Sequence, residues 1–185
     1  MHEISLHVLD LVQNSLEAGA SSIEIHVEED LAADLFRVSV KDNGRGMDAE
    51  TLQQVTDPFY TTRSTRRVGL GLSLLKAAAE QCAGKMIVES QKGVGTTVTA
   101  VFRHSHWDRM PLGDMATTIM VILAGHPELV LIYRHQVDGK SFCFQLGEVR
   151  QRLENLPVNH PAVLHWLKDY LREAIQNLYG GEFDD

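Results

Sequence analysis

Phe36, Val38 and Val40 alternate with polar residues up to Asp42, and the chain then runs Asn43-Gly44-Arg45-Gly46-Met47. Period-two alternation reads as a strand with one buried face. An acidic residue closes the strand, and two glycines let the backbone turn sharply and approach a ligand with no Cβ in the way. A carboxylate fixed at a strand end beside exposed backbone N–H groups can accept from an exocyclic amine and leave room for a flat base. The same six residues also fit an ordinary hairpin loop, because Asn-Gly is a turn dipeptide. The neighbouring segments decide between the two.

Upstream, residues 2–18 have helical spacing, with Ile4, Val8, Leu11 and Ser15, then Leu9, Val12 and Leu16, on one side and Gly19 as the stop. Asp10 and Asn14 are four apart, so they project one turn above the other, and Glu17 and Ala18 continue that face. Such a pair could position a water and ligate a hard ion such as Mg2+; it also fits a solvated polar stripe. Ser22 to Glu28 alternates through Ile23, Ile25 and Val27, which predicts a strand that hairpins into the one ending at Asp42.

Downstream, Asp48 can cap a short helix to about Val55. A polar, basic stretch from Asp57 to Arg67 lacks periodicity, opens on Phe59 and Tyr60, and ends at Gly69-Leu70-Gly71-Leu72. It reads as a lid anchored by Phe59, with arginines suited to phosphate. Gly69 and Gly71 open an apolar helix, Leu72 to Cys82, and glycines before a helix N-terminus offer N–H groups to phosphate oxygens. Met86–Ser90 and Thr96–Phe102 form a second hairpin across Lys92-Gly93-Val94-Gly95. A helix, two strands, two helices around a lid and two more strands predict an α/β two-layer sandwich: a mixed, mostly antiparallel sheet with helices on one face.

The four motifs, in this order, resemble the GHKL ATPase superfamily of gyrase-type topoisomerases, the heat-shock chaperone, histidine kinases and the mismatch-repair ATPase, over roughly residues 3–103. Residues 10–20 look like its asparagine box, in wording similar to the mismatch-repair branch. Residues 42–47 look like the first glycine box, and 57–63 with 69–72 like the lid and second glycine box of histidine kinases. Gly93-Val94-Gly95-Thr96-Thr97 looks like the final box. The resemblance implies a Bergerat-type fold that binds ATP with Mg2+. Asp42 would accept from the adenine amine, supported by Thr97 or Thr96, and Asn14 would ligate Mg2+. Gly44, Gly46 and Met47 would line the base pocket, with Ala18 against the nucleotide. Gly69, Leu70, Gly71 and Leu72 would offer N–H groups to the phosphates, and Phe59 and Thr61 belong to the lid. Two positions depart from the family. Asp10 stands where hydrolysing members carry a glutamate base, one methylene longer, and Arg67 stands where histidine kinases have a further glycine.

Charge and composition narrow the partners. Seventeen Lys and Arg against 25 Asp and Glu leave a net charge of −8, which argues against a sequence-independent nucleic-acid binder. No apolar run approaches bilayer length and residues 1–20 lack a signal-peptide pattern, so no membrane role and a cytoplasmic setting are expected. Cys82 and Cys143 are isolated in apolar surroundings and read as core cysteines. Residues 1–103 are expected to form the ATP-binding domain and 104–185 a small αββαα extension that packs on the sandwich or mediates a homodimer. Within it, 104–109 (His-Ser-His-Trp-Asp-Arg) reads as a polar linker rather than a metal cluster, since His-x-His needs further partners.

Three functions share this site: an ATP-dependent protein kinase or switch, a slow ATPase with Asp10 as base, and a non-catalytic nucleotide sensor. The chain starts almost at the asparagine box, with no preceding two-helix hairpin to carry an acceptor histidine, so a kinase's acceptor is expected on a separate protein, as in the anti-sigma serine kinases of the superfamily.

Overall fold

In the computed structural model, residues 3–56, 70–153 and 156–180 are described. The sheet is set by side-chain alternation. In β1 (Ser22–Asp30), Ile23, Ile25 and Val27 are wholly buried, while Glu24, His26 and Glu28 alternate onto the other face. In β2 (Leu35–Asp42), Phe36, Val38 and Val40 do the same. The antiparallel register pairs Ile25 with Val40 and Val27 with Val38. Directly paired residues share a face, so the next pair, Ile23 with Asp42, puts the Asp42 carboxylate on the side that carries the core.

β3 (Lys85–Gln91) and β4 (Gly95–Arg103) form the second hairpin, and β4 runs antiparallel to β2. β5 (Val130–Val137) pairs in parallel with β1, and β6 (Lys140–Gln145) closes the order β3-β4-β2-β1-β5-β6. The expected two-layer sandwich with a mixed, mostly antiparallel sheet is therefore observed. The two strands of segment 104–185 extend the same sheet.

The helices cover the apolar face. α1 (Ile4–Glu17) lies on β1 and β2, and α3 (Leu70–Gln81) on β3 and β4 beside α1. α4 (Met115–Gly125) packs between α1 and α6 (Pro161–Leu178). That position explains its composition: Met115, Ala116, Ile119, Met120, Ile122 and Leu123 are all buried, more of its circumference than an amphipathic surface helix hides. Asp114 caps α4, accepting from the Thr117 N–H at 2.8 Å, and Arg172 of α6 donates to the same carboxylate at 2.7 Å. The stretch before α4 also reaches the first helix. Ile4 N and Ser5 N donate to Pro111 O and Leu112 O, satisfying two N–H groups that a helix start leaves without partners. α2 (Ala49–Thr56) and α5 (Leu146–Arg152) are shorter. Among the described residues no helix is long and apolar enough to cross a membrane.

Three expectations change. α3 begins at Leu70 rather than Leu72, so Gly71 lies inside its first turn. Cys82 is buried as expected, but Cys143 is exposed, because Phe142 and Phe144 take the inward positions of β6 and Cys143 alternates outward. His104 is no linker residue. Its Nε2 lies 2.7 Å from Glu29 Oε2, and Glu29 is only 7% exposed. The other carboxylate oxygen accepts from the Tyr179 hydroxyl, which also lies 3.3 Å from Nε2 of the fully buried His135. His135 Nδ1 in turn meets the Tyr133 hydroxyl at 2.8 Å.

This chain of polar groups joins β1, β5, the residue after β4 and the residue that ends α6. Burial by itself would push the Glu29 carboxyl up. The nearby His135 ring, 3.7 Å away, and the hydrogen bonds with Tyr179 and His104 outweigh it and hold the group down, from 4.5 to about 2. A carboxyl lowered on folding stabilises the protein above its unfolded pKa, and that stability is lost as pH falls through the folded value. Wild-type chain should therefore lose roughly 3 kcal/mol between about pH 4.5 and 2 that Glu29→Gln does not lose over the same range. Urea melts of both proteins across that window check it, and parallel pH profiles would remove Glu29 from the account.

Candidate nucleotide site

The site is built where α1 ends, where β2 runs into the glycine loop of residues 43–47, and where the β3–β4 turn meets that loop. Asp42 is the last residue of β2, and its carboxylate gathers three donors. Ser15 Oγ donates to Oδ2 at 2.7 Å, and the Gly44 and Thr96 N–H groups reach Oδ1 at 2.8 and 3.3 Å. An ionised carboxylate has roughly four acceptor positions, so this one is oriented from three sides and still able to take a ligand N–H.

Close backbone approach holds the glycine loop in place. Gly46 has φ +61° and its missing Cβ would collide with Gln91 O; Gly95 has φ +139° and faces Asp42 O in the same way. Gly93 N donates to Arg45 O at 2.8 Å, and Arg45 N to Ala18 O at 2.9 Å. Met47 N donates to Ser90 Oγ at 2.8 Å, and Ser90 Oγ lies 2.8 Å from Thr96 Oγ1. Asn43 turns away from this centre, its Oδ1 accepting from Ser21 N and Ser22 N at 2.9 Å each. The loop is thus tied to the end of α1 on one side and to the β3–β4 turn on the other.

Asp42, Gly44, Gly46, Met47, Ala18 and Thr96 come together here. Ala18 follows the last residue of α1, and a Cβ on Gly44 would crowd its side chain at 3.1 Å. Thr97 faces the opposite side of the sheet: it pairs with Lys41 and Glu89, while Thr96 pairs with Ser90 on the Asp42 side. Asn14 lies one residue before Ser15 on α1, and Asp10 one turn earlier. Asp10 meets α3, where a Cβ on Gly71 would collide with its Oδ2. Leu72 packs its side chain on the core. Leu70 supplies the first residue of α3. Phe59, Thr61, Gly69 and the lid with its arginines lie outside the described residues. Asp10 and Asn14 are hard oxygen donors on one helix face, a donor set that fits Mg2+, which binds through one or two protein oxygens and retains waters.

Ser15 and Ser90 are the members of this hydrogen-bonded cluster that the sequence pattern hides. Ser15 occurs within the apolar stripe of α1 and is buried, with Leu11 O as a second neighbour at 3.1 Å. Its position directly after Asn14 is the one signal for it. Ser90 stands on strand β3 opposite Thr96 and has no sequence signal of its own.

A carboxylate held by three donors and flanked by glycine turns, with a helix start and two side-chain oxygens beyond it, is compatible with a nucleotide-binding α/β sandwich. The family model for the histidine kinase-, DNA gyrase B- and HSP90-like ATPases matches residues 3–106, and the chain belongs to that family. Among characterised proteins, it is 40% identical over 95 residues to the sensor protein kinase FleS of Pseudomonas aeruginosa, covering 51% of this chain and 23% of FleS. It is 32% identical over 98 residues to the sensor histidine kinase YvrG of Bacillus subtilis, covering 51% of this chain and 17% of YvrG. The chain therefore spans less than a quarter of the length of these relatives. Among solved structures, the N-terminal domain of a DNA repair protein superposes with a TM-score of 0.50 at 15% identity, over 97% of this chain and 57% of that one. That likeness concerns the fold, and it includes the C-terminal strands and helices.

Proposed function

We propose that this chain binds Mg2+-ATP and acts as a protein kinase toward a separate protein partner, or as a switch that partner reads. The observation that carries the reading is the Asp42 carboxylate, held by Ser15, Gly44 and Thr96 with acceptor capacity left for an adenine amine. The matched region of the sensor kinases supports the phosphoryl-transfer half. A separate acceptor is favoured by His7, the histidine on the helix that carries Asn14. His7 is 4% exposed, its Nδ1 has no partner among the described residues, and burial lowers its pKa. A ring so enclosed is not presented to a phosphate.

When bound, Mg2+ would neutralise the phosphate oxygens and bridge them to the protein. Asn14 would hold it through its side-chain oxygen, while Gly71 and Leu72 would offer backbone N–H groups to the phosphates. Asn14→Ala should reduce Mg2+-ATP affinity to that for metal-free ATP, which calorimetric titration with and without Mg2+ reads directly. A second reading, a slow ATPase with Asp10 as base, is favoured by the position of that carboxylate at the start of α3. Incubation with γ-labelled ATP separates the readings: label on a partner protein, steady release of phosphate, or neither, the last indicating a sensor.

A further inference from the structure

β3 is an outer strand of the sheet, and its free edge is regular. It pairs with β4 residue for residue from Lys85 to Gln91 and contains no proline. Among the described residues, no backbone hydrogen bond joins residues 85–90 to anything but β4. Such an edge offers a row of N–H and C=O groups to another strand, and proteins usually blunt it with charge. The charges on β3 have a different arrangement. On the face away from the helices, Lys85, Ile87 and Glu89 are all exposed, with opposite charges at equal spacing either side of the isoleucine. Neither Lys85 nor Glu89 has an ion-pair partner among the described residues.

We infer that a second copy of this chain docks on this edge, β3 against β3 in an antiparallel register centred on Ile87, so that the two sheets join. The inference is independent of the nucleotide-binding reading. Two-fold symmetry makes the contact self-complementary. Ile87 faces the partner's Ile87, Lys85 faces the partner's Glu89, and Glu89 faces the partner's Lys85. Directly opposed side chains lie about 5 Å apart, where opposite charges attract. On the other face, Met86 meets the partner's Val88 beside the core on which both residues pack. The alternative registers are worse. Centring on Met86 or Val88 sets Ile87 against a charge, and centring on Lys85 or Glu89 sets like charges face to face. β6, the outer strand at the far end of the sheet, has Lys140 as its one charged residue, so no register on itself pairs opposite charges.

The test is sedimentation equilibrium of the full chain as wild type, Lys85→Glu and Glu89→Lys, each alone and the two variants mixed. A seam of one strand pair lies at the small end of specific interfaces, so wild type should pass from monomer to dimer with rising concentration below about 1 mM. Each variant alone sets like charges opposite one another twice and should dimerise at least about tenfold more weakly. The mixture should recover wild-type association, because each acidic position of one chain then faces a basic position of the other. Both substitutions are at exposed positions, and a thermal melt confirms folding. The combined variant Lys85→Glu/Glu89→Lys serves if a single one does not fold: its reversed pairs should keep wild-type association, and a loss overturns the inference. Wild type that is still monomeric at about 1 mM overturns it as well. So do folded single variants that associate as wild type does, and a mixture that associates no better than its components.

Discussion

Asp42→Asn should abolish measurable ATP binding, a loss of at least about 100-fold. The carboxylate accepts from Ser15 Oγ and from the N–H groups of Gly44 and Thr96. An asparagine can satisfy these donors only with its single carbonyl oxygen. With that oxygen on the Gly44 and Thr96 N–H groups, its NH2 group would face the adenine amine, donor against donor, while the Ser15 hydroxyl turns to Leu11 O. Each buried donor left without a partner costs about 1–3 kcal/mol, and charge-assisted bonds are the stronger ones to lose. Calorimetry with Mg2+-ATP checks the effect, with a thermal melt to show that the variant is folded. Tight binding retained by a folded Asp42→Asn would sink the assignment of the base pocket to this carboxylate.

Ending the chain after Arg103 should leave a fragment with no cooperative thermal transition. The cut removes β5, the parallel partner of β1, and α4, which covers α1. It also removes Pro111 and Leu112, whose carbonyls satisfy the first N–H groups of α1. Burying one large aliphatic side chain contributes about 1.5–3 kcal/mol. The apolar residues of β1 and α1 that would lose cover therefore represent a sum comparable with the 5–15 kcal/mol net stability of an ordinary domain. Circular dichroism melts of residues 1–103 and of the full chain decide it. A fragment that melts cooperatively near the full-length midpoint would make the C-terminal segment an accessory.

How far the sequence reached depends on whether a feature is local. The six strands and the larger helices were legible because Ile23, Ile25 and Val27, or Val163, Leu167 and Leu171, repeat at their own period within a few residues. The face that carries Asp42 was legible too, since one alternation carries from Phe36 to Asp42. Pairing between β1 and β5 has no such signature: nothing in Val130–Val137 names a partner in Ser22–Asp30. The same holds for Glu29, His104, His135 and Tyr179, each unremarkable in its own segment and joined only by the fold. That Thr96 and not Thr97 lies on the Asp42 side needed the strand register, which fixes the face each occupies.

Parallel pairing of β1 with β5 also bears on the order in which the protein is made. Ser22 pairs with Val130, so one edge of β1 lacks its partner until a ribosome has synthesised the intervening chain. At about 5–20 residues per second that interval lasts on the order of 5–20 s. In its last part, once residue 103 has been added, the motif-bearing half is complete in sequence, yet the side of β1 later joined by β5 remains an open strand edge. An unpaired edge beside apolar residues is a template for mispairing with other nascent chains. Conditions of synthesis, such as temperature, elongation rate and chaperone supply, should therefore govern the yield of this protein more than its final stability does.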